Sequence, residues 1–119
     1  TGISMQLKNK RGKSTDKTSK TKTVQVNFTI AKNVTAQNGH KTFYVRITTP
    51  SGTTLGGGGS FNYQNRTLEA TMKKTVEYDG QETSISTFWN VSQSLLEGTY
   101  HVSIFADGNM IGSRSFTFK

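Results

Sequence analysis

Seven basic side chains fall within fifteen residues: Lys8, Lys10, Arg11, Lys13, Lys17, Lys20 and Lys22, with Asp16 the one acid among them. Seven bases against one acid leave +6 in this segment, out of a net charge of +8 for the whole chain. The chemistry open to such a cluster is electrostatic: it can neutralise the phosphates, sulfates or carboxylates of an anionic polymer, with a strong dependence on salt. No aromatic residue lies between Lys8 and Lys22. The segment therefore offers no ring on which a base could stack, and contact with nucleic acid would run through backbone charge and be nearly blind to sequence. The plain alternative is a solvated loop whose charge serves solubility. Because no apolar residue interrupts it, nothing in its composition holds it against a core, and a mobile loop extended by self-repulsion is expected over 8–22.

Other reactive side chains are few and scattered. His40 and His101 are the two histidines; His40 falls in a turn and His101 on an outward strand face. Asp79, Glu82 and Glu77 lie close together across a turn, a spacing that suits a weak calcium site less well than it suits the Asp79-Gly80 turn itself. With no cysteine in the chain, disulfides, thiolate zinc sites and cysteine nucleophiles are excluded. No serine stands in G-x-S-x-G, and no Ser-His-acid trio can be assembled. The reading is of a chain that is not an enzyme, with no catalytic residue, no cofactor and no metal site.

What positions these residues is a series of strands. A chain of 119 residues supports one domain and one core. The apolar share of 31% is low, which suits strands with one wet face. Ile3, Met5 and Leu7 alternate with polar neighbours, as do Val24, Val26, Phe28 and Ile30, and then Phe43, Val45 and Ile47. Asn33 to Gly39 and Pro50-Ser51-Gly52 supply turns. Phe61 and Tyr63 mark a short strand, residues 68–72 continue toward Val76 and Tyr78, and 82–91 place Ile85, Thr87, Trp89 and Val91 on one face. Residues 92–97 suit a single helical turn ended by Gly98. Tyr100, Val102 and Ile104 form the next inward row, Asp107-Gly108 a hairpin turn, and Phe116 and Phe118 share a face of the last strand. The glycine-rich stretch 56–60 has the form of an engineered linker as much as of a natural loop. It is no phosphate cradle, since no Gly-Lys-Ser/Thr and helix follow.

Seven to eight strands joined by frequent turns predict an all-β, immunoglobulin-like antiparallel sandwich spanning 1–119. Tyr44, Phe88 and Phe105 fall out of phase with the inward rows. Together with Arg46 they make a candidate partner surface for a protein or a carbohydrate, unless a loop or helical turn covers them. No apolar run approaches the roughly 20 residues that span a membrane. The start at Thr1 without Met reads as that of an excised or processed fragment.

Two patterns carry a resemblance. Leu96-Glu97-Gly98-Thr99-Tyr100-His101-Val102 resembles the G-T-Y-x-V segment of bacterial immunoglobulin-like domains, in which the tyrosine hydroxyl bonds back to the backbone as a corner. The run from Lys22 to Lys119 is similar to the C-terminal β-domain of Bacteroidetes envelope proteins that carry a membrane anchor and a coiled coil. The matching pieces are Val26-Asn27-Phe28-Thr29-Ile30, Phe43-Tyr44-Val45-Arg46-Ile47, Met72-Lys73-Lys74-Thr75-Val76-Glu77-Tyr78 and Phe105-Ala106-Asp107-Gly108-Asn109. The resemblance implies an envelope location, periplasmic or surface-exposed, and a non-catalytic module acting in protein–protein contact, self-association or assembly. The basic segment and the sheet aromatics add the alternative of a polyanion- or carbohydrate-binding domain.

Overall fold

Alternating apolar and polar residues become ten strands in the protein's structure, a computed structural model that describes residues 2–31 and 39–119. In chain order the strands are β1 (Ser4–Lys8), β2 (Ser14–Thr15), β3 (Thr23–Ile30), β4 (Gly39–Thr48), β5 (Ser60–Tyr63), β6 (Arg66–Glu69), β7 (Met72–Tyr78), β8 (Thr83–Asn90), β9 (Gly98–Ala106) and β10 (Asn109–Phe118). One antiparallel sheet has the order β2-β1-β3-β8 and the other β10-β9-β4-β7. The fold is the expected all-β sandwich. Among the described residues no helix is long and apolar enough to cross a membrane.

The core follows from strand period. Met5, Leu7, Val24, Val26 and Phe28 face inward from the first sheet, and Phe43, Val45, Ile47, Val102 and Ile104 from the second, in one buried cluster. Removing such side chains from water is the main driving force for joining the sheets. Trp89 lies in the same cluster, and its indole N–H donates to the Gly56 carbonyl at 2.9 Å, so the ring is buried with its polar edge satisfied.

Ten strands, rather than seven or eight, arise at two places. β2 is a short strand inside the basic segment. The expected run from 68 onward divides into β6 and β7 because Ala70, Thr71 and Met72 are all buried in succession, which breaks a two-residue period. Their backbone bonds go elsewhere: Ala70 N–H to Gly59 O at 2.8 Å and Thr71 N–H to Val45 O at 2.8 Å. The Thr71 hydroxyl accepts from Ile47 N–H at 2.9 Å and donates to Leu55 O at 2.5 Å. β5 and β6 become a separate hairpin, closed by Gln64 and Asn65 at φ 49° and 63°, both left-handed as a two-residue hairpin turn requires. The expected Asp107-Gly108 hairpin has the same form, at φ 54° and 76°.

Two further expectations meet the structure differently. Residues 92–97 are not helical; Leu95 packs on the core instead, and the carbonyl of Leu96 is held by Tyr100, as described below. The turn expected from Asn33 to Gly39 lies outside the described residues except for Gly39.

Candidate polyanion-binding site

The basic segment begins where β1 ends. The Asn9 side-chain oxygen accepts from the backbone N–H of Arg11 at 2.9 Å and of Lys13 at 3.1 Å. Asn9 N–H donates to Lys13 O at 2.8 Å, and Gly12 N–H to Asn9 O at 2.9 Å. Gly12, at φ 77°, takes the left-handed conformation that lets the chain turn back. β2 then pairs with β1 through Lys8 opposite Ser14 and Leu7 opposite Thr15. A single 3₁₀ turn, Thr18–Lys20, follows, with the Thr21 hydroxyl donating to Lys17 O at 2.9 Å.

The segment also clasps the far sheet. Thr18 N–H donates to Lys119 O at 2.6 Å and Lys119 N–H to Asp16 O at 2.9 Å, so β10 and the basic segment are tied together. Lys22 closes the path, its N–H donating to Lys8 O at 2.8 Å and its carbonyl accepting from Val91 N–H at 2.9 Å. The expectation that nothing holds this segment against the core is therefore corrected. Backbone and hydroxyl hydrogen bonds fix the path, and Thr18 and Thr21 are buried in place of the missing apolar residues.

This folding brings Lys10 and Arg11 of the hairpin turn beside Lys20 and Lys22 of the returning chain. The four line one cavity of about 340 Å³ together with Asn9. Lys8, Lys13 and Lys17 lie outside its lining; Lys8 stands in β1 with its ammonium 3.3 Å from the Ser14 hydroxyl. Asp16, the one acid of the segment, makes no ion pair with any of them. Among the described residues the single ion pair joins Lys41 to Asp107 at 2.7 Å. The cavity is thus walled by cations with no carboxylate neutralising them. Asn9, which organises it, is not in the charge pattern, although Asn9 followed by Gly12 is a turn signal.

The candidate aromatic surface does not form. Phe105 is 3% exposed and lies under the β5–β6 hairpin. Tyr44 stacks on Phe61 at 4.6 Å between centroids, and Phe105 meets Phe61 at 4.9 Å and Tyr63 at 5.0 Å. Arg46 is spent on the hairpin and the loop before it, its Nε donating to Glu69 O of β6 at 2.9 Å and its Nη2 to the Thr54 hydroxyl of the loop at 3.1 Å. Tyr44 and Phe105 fall out of phase because a second, smaller core covers the outer face of their sheet. Phe88 differs: it sits on the other sheet, 60% exposed.

Of the remaining reactive groups, His101 and Asp79 have local partners. His101 Nδ1 and the Ser115 hydroxyl are 2.5 Å apart, directly opposite across β9 and β10, on an exposed face and outside the cavities described here. Asp79 accepts from Gln81 N–H at 3.0 Å as a turn residue. Among the described residues no three of His, Asp and Glu come together as a metal would need. Tyr100 forms the expected corner, its hydroxyl donating to Leu96 O at 2.5 Å, and burial pushes its pKa above the ordinary value.

No curated protein and no solved structure matches the chain. Over residues 1–119 it matches the family described as "Domain of unknown function (DUF8428)", and it belongs to that family.

Proposed function

We propose that this domain is a non-catalytic binding module that captures an anionic polymer at the cavity between the β1–β2 hairpin and the Thr18–Lys20 turn. The observation that carries the reading is that Lys10, Arg11, Lys20 and Lys22 line one cavity with no carboxylate paired to them. Like charges gathered by hydrogen-bonded backbone repel one another, and an incoming polyanion relieves that repulsion while releasing its own counterions. Because the turn and the 3₁₀ segment are tied by backbone bonds, the cations need less ordering on binding than they would on a free loop. The competing protein-contact reading has lost most of its surface, since Tyr44, Arg46 and Phe105 serve the β5–β6 hairpin. In the cell envelope, the location that the resemblance implies, polymers bearing phosphate, sulfate or carboxylate are available partners.

The test titrates the domain, and a Lys10→Gln, Arg11→Gln, Lys20→Gln, Lys22→Gln variant, against labelled heparin and mixed-sequence DNA at low and near-physiological salt. Binding should persist at the higher salt and be lost in the variant. With single-stranded DNA the slope of log affinity against log salt should flatten by about 3, since each phosphate neutralised contributes about 0.7. Equal binding by both proteins overturns the proposal.

A further inference from the structure

We infer that the anionic polymer is a polysaccharide, and that its uncharged hydroxyls are taken by the outer face of the first sheet beside the basic cavity. The inference rests on the polyanion reading above and adds the ligand's backbone chemistry to it. Side chains of β1, β3 and β8 that point away from the core stand in cross-strand rows. Lys8, Thr23 and Asn90 form the row nearest the hairpin, and Gln6, Gln25 and Phe88 the next. Beyond the lysine, both rows hold amides, a hydroxyl and one ring, with no acid.

The second sheet covers its outer aromatics with the β5–β6 hairpin, whereas this face is left open and its ring is 60% exposed. Phe88 and Asn90 also line a cavity of about 590 Å³, bounded on its other side by the glycine loop and by Lys73 of β7, a further cation beside the ring. An open ring among amides and hydroxyls matches the two surfaces of a sugar. The C–H face of a pyranose covers an aromatic ring, while its hydroxyls take the neighbouring donors and acceptors. Lys8 and Asn90 are two strand spacings apart, roughly 10 Å, and Phe88 stands two residues along β8 from Asn90, so Lys8 and the ring lie within the span of one short oligosaccharide.

Single-stranded nucleic acid is the competing ligand. Its binding sites interleave cations with several stacking rings. Here the cationic cavity contains no ring, and Phe88 is a single exposed ring one row beyond Lys8, Thr23 and Asn90.

The experiment measures affinity at near-physiological salt for three probes of matched charge: a uronic-acid oligosaccharide, inorganic polyphosphate and a mixed-sequence single-stranded DNA. The proteins are the wild type, Phe88→Thr, Gln6→Ala and the four-cation variant, each checked for a cooperative thermal transition. Phe88 and Gln6 are exposed strand residues, so both substitutions leave the core intact. The oligosaccharide should bind about tenfold more tightly than polyphosphate, and Phe88→Thr should remove most of that advantage while leaving polyphosphate binding unchanged. Gln6→Ala should act in the same direction. Equal affinity for all three probes, tighter DNA binding that Phe88→Thr weakens, or oligosaccharide binding untouched by Phe88→Thr overturns the sugar assignment and leaves the polyanion reading standing. Undiminished binding by the four-cation variant overturns both.

Discussion

Tyr100 shows how much one side chain can hold. It is 1% exposed, and its hydroxyl restrains the Leu96 carbonyl four residues upstream, anchoring the irregular segment that enters β9. Replacing it with phenylalanine keeps the buried ring and orphans that carbonyl, a loss of about 1 kcal/mol at neutral pH. Burial raises the Tyr100 pKa in the folded chain above the value of about 10 of an unfolded tyrosine. The folded state therefore keeps its proton to higher pH than the unfolded one. The stability tied to that proton is full below about pH 10 and is lost as pH rises through the folded value. Denaturant midpoints of wild type and Tyr100→Phe should differ at pH 7 and converge above about pH 10, since the variant has no hydroxyl there to ionise. A gap that stays constant up to the alkaline limit would contradict the direction of the shift. The corner was readable from Gly98-Thr99-Tyr100, whereas the state of residues 92–97 was not. A terminal glycine permits a helical turn, but where Leu95 finds its core contact is a tertiary matter.

Among the elements, those with a strict two-residue period were legible, and those that break it were not. β3 and β4 expose the same alternation in sequence and in burial. The β5–β6 hairpin was hidden because its purpose is to cover residues of other strands, so Tyr44 and Phe105 looked misplaced until their cover was seen. The basic segment was misread for a related reason: composition reports apolar anchoring, and this segment is anchored by Asn9, Thr18, Thr21 and backbone bonds. The glycine run joins the two cases. Gly58 N–H donates to Ala70 O at 2.9 Å, and a Cβ at Gly58 would stand 2.6 Å from Met72 N and 2.7 Å from Thr71 C, both backbone. Neither can move without breaking the β6–β7 junction, so the run is part of the fold rather than slack between strands. Gly58→Ala should cost about 3 kcal/mol, read as a lower midpoint in urea. A change below roughly 0.5 kcal/mol, the usual size at a permissive surface position, would mean that the loop is not packed as described.

At the scale of the molecule, the charge is asymmetric. Six of the eight net positive charges come from 8–22, and hydrogen bonds rather than carboxylates hold that segment in place. The folded state keeps Lys10, Arg11, Lys20 and Lys22 around one cavity, whereas an unfolded chain is free to spread them. At about 10 Å in water each such pair repels by a few tenths of a kcal/mol. Screening shortens the reach of that repulsion from about 30 Å at 0.01 M salt to about 8 Å at 0.15 M. The thermal midpoint of the wild type should therefore rise by a few degrees over that interval. The four-cation variant should start higher at low salt and respond less. A polyanion that occupies the cavity should do more than simple salt, because binding to the folded state alone adds about 2.7 kcal/mol at a hundred times its dissociation constant. The decisive comparison is between equal ionic strengths of sodium chloride and the uronic-acid oligosaccharide. If the two raise the midpoint equally, the cations are only being screened. If the oligosaccharide raises it further in the wild type and not in the variant, the asymmetry is a binding site.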